Sequence, residues 1–91
     1  MNAEKLLEAT ALYTRKIEEM NIPAKSFKRN ELRPSNRDAL AHCHRMLQKI
    51  PQLIKEGRVE KVHRWLGFIQ ACLWMSGTYS IQRMKDHLKP D

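Results

Sequence analysis

Two apolar stripes, one on each side of a Glu-Gly step, constrain this chain more than any other feature. Leu40, Cys43, Leu47, Ile50 and Ile54 recur at intervals of three and four, and so do Val59, Val62, Leu66, Ile69 and Leu73. That spacing places each set on one face of an α-helix. Only a short link containing Glu56-Gly57 separates them, so the two helices are predicted to fold back on each other as an antiparallel hairpin over 35–76. Ser35, with Asp38 three residues on, reads as the N-cap of the first of these helices, which should run to about Lys55. Gly57 is its expected C-cap, and Pro51 inside it removes one backbone hydrogen bond and predicts a kink. The second helix of the hairpin is expected over about Arg58 to Ser76, closed by Gly77.

The flanks follow the same logic. Leu6, Ala9, Tyr13, Ile17 and Met20 form one stripe of an N-terminal helix over 3–20, within a segment 1–22 that Pro23 closes. A basic connector, 23–34, carries Lys25, Lys28, Arg29 and Arg33. In the tail, 77–91, Ser80 is placed to cap a short last helix with Ile81, Met84 and Leu88, ended by Pro90. No alternating apolar pattern supports a strand, and no repeat or low-complexity tract occurs. The expected fold is therefore all-α: a short N-terminal helix, a long antiparallel helical hairpin and a short C-terminal helix, in one domain of 91 residues.

So short a chain buries a thin core, and a sizeable pocket is more easily built between subunits than within one. Trp65, Phe68 and Trp74 widen the apolar surface of the second hairpin helix beyond one stripe, which points to an interface and hence to a homo-oligomer. The net charge of +7 and pI of 9.8 favour an anionic partner without choosing one. Cys43 and Cys72 lie among apolar residues, outside any zinc-ligand spacing, and read as reduced core thiols of a cytoplasmic protein. The N-terminal MNAEKLLEAT does not read as a signal peptide, and no stretch approaches the ~20 apolar residues of a membrane span.

Catalytic constellations are hard to assemble from this sequence. His42 and His44 are two apart on a helix, so they point roughly 200° away from each other and cannot grip one metal ion. GxSxG and HExxH motifs are missing, and three glycines in all do not make a phosphate loop. The expectation is a non-enzyme with no cofactor and no metal. A helix-turn-helix DNA reader is disfavoured because the seam runs along two long helices rather than across a steep short turn.

LYTRKIEEMNIPAKSFKRN, residues 12–30, instead sets an aromatic ring close to a basic turn. Tyr13 has two readings: a core ring with its hydroxyl at the rim, or a ring whose face stays open at a subunit interface for a nucleobase to stack on. Lys28, with Lys25 or Arg29, could then meet phosphate through charge-assisted hydrogen bonds, or simply be solvated.

Three stretches, LLEATALYTRKIEEMNIP, LRPSNRDALAHCHRML and EGRVEKVHRWLGFIQACLW, together resemble the anti-CBASS cyclic-oligonucleotide sponges, a family of small helical proteins of tailed phages. The likeness covers nearly the whole chain. It implies a homohexamer that binds, without cleaving, the cyclic di- and trinucleotides by which bacterial CBASS defence signals infection, in the cytoplasm of the infected host. It assigns base stacking to Tyr13 and phosphate contact to Lys28, with Asn30 a hydrogen-bonding neighbour. It also implies a separate trinucleotide site at Arg64. Two other functions fit the residues: a phage inhibitor that contacts a host protein through Trp65, Phe68 and Trp74, and a basic nucleic-acid-binding module.

Overall fold

Residues 3–28, 30–32 and 35–89 are described by the structure, a computed structural model. Arg29, Arg33 and Pro90, which entered the sequence reading, lie outside them. Among the described residues there are four α-helices and no strand: α1 (Ala3–Glu19), α2 (Asn36–Lys55), α3 (Val59–Met75) and α4 (Ile81–His87).

The helix ends follow from local chemistry. At the start of α2 the Ser35 hydroxyl accepts the Asp38 backbone N–H at 3.1 Å. The same hydroxyl donates to Asp38 Oδ2 at 3.0 Å, so the acid grips the cap's side chain rather than its backbone. Ser80 caps α4 in the same way, accepting from the Arg83 N–H at 3.1 Å.

α1 stops before Pro23 acts on it. Asn21 enters the left-handed region at φ 59°, its N–H bonds the Glu18 carbonyl at 3.0 Å, and the Ile22 N–H reaches the Ile17 carbonyl at 3.4 Å. This is a Schellman closure, completed by burial of both Ile17 and Ile22. Met20 consequently leaves the apolar stripe on which it was expected and is exposed. Gly57 and Gly77 close α2 and α3 with the same bond pattern. α2 continues through Pro51, whose ring lies on the exposed side.

α2 packs against both α3 and α1, and α1 touches α3 over a smaller contact. The core joins Leu6, Tyr13 and Ile17 of α1, Leu40, Cys43, Leu47 and Ile50 of α2, Val62, Leu66, Ile69 and Leu73 of α3, and Met84 of α4. Each fully buried aliphatic side chain there is worth about 1.5–3 kcal/mol relative to exposure. Leu53 rather than Ile54 takes the last core position of α2, and Ile81 faces solvent.

The connector is tied to α2 rather than left free. Arg37 Nη2 donates to the Asn21 carbonyl at 2.7 Å, the Lys25 N–H donates to the Ala41 carbonyl at 3.0 Å, and His44 Nδ1 lies 2.8 Å from the Ile22 carbonyl. A carbonyl only accepts, so His44 Nδ1 carries the hydrogen. His44 is 7% exposed, and its bond satisfies the Ile22 carbonyl.

Candidate functional site

With the connector fastened across α2, Phe27 and Lys28 come to stand over the α2–α3 hairpin. They complete a cavity of about 540 Å³ whose walls include Phe27, Lys28, Leu32, Ala39, His42, Phe68, Cys72 and Met75. That volume falls in the ~300–1,000 Å³ range of small-molecule sites.

Aromatic edges define its middle. The His42 imidazole stands edge-on between two phenyl rings, 6.0 Å from Phe27 and 6.3 Å from Phe68, centroid to centroid. Its Nδ1 is buried and has no hydrogen-bond partner among the described residues. A buried nitrogen of this kind is costly until something bonds it. Phe68 remains 50% exposed and Leu32 92% exposed, so apolar surface borders the opening.

Charge enters from the connector. The Lys25 ammonium lies 5.0 Å from the Phe27 ring centroid, a cation–π contact, and exposed Lys28 lines the cavity. Glu31 and Asp38 also line it. Both carboxylates are engaged: Glu31 Oε1 accepts the Lys28 N–H at 3.0 Å, and Asp38 accepts from Ser35.

On the wall, the half-buried thiol of Cys72 hydrogen-bonds the fully buried Cys43. That bond, and then burial, hold Cys43 as a thiol well above the usual cysteine range. Cys43 is therefore not an activated nucleophile. No three His, Cys, Asp or Glu side chains converge on a metal position among the described residues.

Tyr13 belongs to a different place. Its side chain is 0% exposed, and it does not line the Lys28 cavity. Tyr79 and His87 pack on it at centroid distances of 5.8 and 5.4 Å. Gln70 Nε2 donates to its hydroxyl at 2.9 Å. Burial is the main cause that raises its pKa, a neighbouring Tyr79 adds to it, and the Gln70 bond opposes it. In this single chain the Tyr13 ring is covered by its own neighbours and presents no open face for stacking. Of its two readings, the core ring holds.

The remaining sequence-predicted residues are dispersed. Asn30 is exposed in the turn after Lys28 but does not line the cavity. Arg64 is exposed on α3, in a shallow depression shared with Arg58 and Lys61 near the Gly57 turn, apart from the Lys28 cavity. Of Tyr13, Lys28, Asn30 and Arg64, only Lys28 reaches the cavity. Phe27, His42 and Phe68 were not read as a site. The signal for Phe27 was present: an aromatic side chain in a mostly polar, basic connector needs a surface to lie on.

The chain matches no protein-family model, no curated protein and no solved structure in these three comparisons. No helix among the described residues is long and apolar enough to cross a membrane.

Proposed function

We propose that the chain binds cyclic di- and trinucleotides and sequesters them intact, as a phage protein acting against CBASS signalling in the cytoplasm of an infected bacterium. The observation that carries this reading is the cavity in which Phe27, His42 and Phe68 stand together with Lys28. A cyclic dinucleotide presents flat bases and two phosphates. Phenyl rings supply stacking surface, worth about 1–3 kcal/mol per base, and an ammonium supplies charge-assisted bonds to phosphate.

In this reading the stacking role passes from Tyr13 to Phe27 and Phe68. The net charge of +7 speeds capture of an anionic ligand. Arg64, beside Arg58 and Lys61, would meet the trinucleotide at a separate place, and a hexamer would supply walls that one thin chain lacks.

A second reading rests on exposed apolar surface. Met75 on the cavity wall is 65% exposed and the next residue back, Trp74, is 52% exposed, apolar surface suited to contact with another protein. Under this reading the chain inhibits a host protein by direct contact.

The deciding experiment is calorimetric titration of the full chain with cyclic di- and trinucleotides, followed by heat release and chromatography of the ligand. Tight binding with intact ligand recovered is the expected result. Linear product would make the chain a nuclease. Absence of heat with every cyclic nucleotide would leave the protein-contact reading.

A further inference from the structure

We propose that α4 is a pH-sensitive latch over Tyr13, docked while His87 is neutral and released when His87 takes a proton.

The argument begins with hydrogen counting. A phenol has one hydrogen to give and lone pairs to receive. Gln70 Nε2 donates to Tyr13 Oη at 2.9 Å, so that bond uses a lone pair. The phenol's own hydrogen is left, and the acceptor placed for it is His87 Nδ1, also at 2.9 Å. Nδ1 must then be bare, and the proton of the neutral ring sits on Nε2. A second proton on His87 has only Nδ1 to occupy. It would aim a donor at the phenol and leave the phenol's hydrogen with no acceptor, inside a site where an unmade bond is costly.

The rest of the seat offers no compensating anion at the ring. From α1 comes Tyr13, and Glu19 at the helix end acts on Tyr79 rather than on the imidazole. From the turn comes Tyr79, edge-on to His87 at 4.9 Å. From α3 comes Gln70, which is uncharged. Within α4, Arg83 opposes protonation, and Asp86 favours it but is paired to Lys89 Nζ at 3.2 Å. Burial first, then Arg83, therefore hold the docked His87 below its ordinary 6.5, with Asp86 opposing.

α4 is the element that would yield. It has seven residues, too few to persist as an isolated helix in water. Besides the His87–Tyr13 bond, it is held by the burial of Met84, the partly buried Leu88 at its C-cap and a long 3.5 Å bond from Gln70 to the Met84 carbonyl. The chain enters it through Gly77, at φ 77°. Release would carry Tyr79 and His87 away and uncover the Tyr13 ring, while the α1–α2–α3 packing stays closed.

The sign follows from linkage. A histidine whose pKa is lower docked than released favours docking above 6.5 and loses that contribution as pH falls through 6.5 towards the docked value. One proton per event limits the fall of the docking constant to at most about tenfold per pH unit across that window.

The test is amide hydrogen exchange on the full chain between pH 8 and pH 5, read as protection factors, with His87 followed by NMR titration. Protection in 81–88 should drop as pH falls below 6.5, by at most about tenfold per pH unit, while α2 and α3 stay protected. In His87→Gln, which keeps an acceptor but does not titrate, α4 protection should no longer vary with pH. Equal α4 protection at both pH values would overturn the latch. So would its loss together with α2 and α3, or a pH step surviving in His87→Gln. No nucleotide enters the experiment, so its failure is separable from failure of the sponge reading.

Discussion

The Tyr13 hydroxyl and His87 Nδ1 stand 2.9 Å apart although the residues are 74 positions apart in sequence. That one bond joins the first helix to the last. Gln70, reaching the same oxygen from α3, makes Tyr13 the point where three helices share a polar contact inside the core.

Tyr13 variants separate a core ring from a stacking ring. Tyr13→Phe keeps the ring and strands Gln70 and His87, so it should cost about 1–3 kcal/mol in urea unfolding. Tyr13→Ala removes a fully buried ring and should cost about 3–5 kcal/mol. A Tyr13→Ala chain as stable as the parent would mean that the ring is not core. Loss of ligand binding in Tyr13→Ala alone therefore says little about stacking.

Lys28 makes the opposite prediction. Its side chain is exposed, so Lys28→Ala should leave unfolding unchanged within about 0.5 kcal/mol. If it meets a phosphate, affinity for cyclic dinucleotide should fall by roughly 10- to 100-fold, the worth of a hydrogen bond to a charged group. Calorimetry on Lys28→Ala and Phe68→Ala checks both claims. Parent-like affinity in the two variants would remove the cavity as the site.

Asn21 reports on the end of α1. At φ 59° an L-residue without a helpful side chain is strained, so Asn21→Ala should destabilise by about 1 kcal/mol. Asn21→Gly should be close to neutral, because glycine takes that conformation freely. Thermal unfolding of the pair tests the Schellman closure directly.

The two thiols should differ in reactivity. Cys72 is partly exposed on the cavity wall, and Cys43 is sealed beneath it. Burial and the Cys72 bond keep Cys43 protonated, and the thiolate is the reactive form. Iodoacetamide at neutral pH should therefore label Cys72 well before Cys43, read by peptide mass spectrometry. Equal labelling would show that the hairpin opens at this level.

The four helices and most of their caps were legible in the residues alone, the Asn21 closure of α1 excepted. Ser35, Ser80, Gly57 and Gly77 act on backbone within a few positions, and Leu47 or Ile69 repeat at the helical period, so both signals are local. The connector was legible as basic, but not as a cavity wall. Phe27 finds His42, and His42 finds Phe68, only after α3 has packed against α2.

The same reason divides the chain's properties. Sequence by itself determined an all-α chain of four helices and an excess of positive charge, because periodicity, capping and composition need no distant partner. Only the tertiary structure decided that Tyr13 is covered, that His44 turns inward to the Ile22 carbonyl, and that Lys28 rather than Tyr13 reaches the cavity. Each depends on contacts between residues from different segments of the chain, such as Tyr13 with Gln70 and His87, and no spacing rule announces such a meeting.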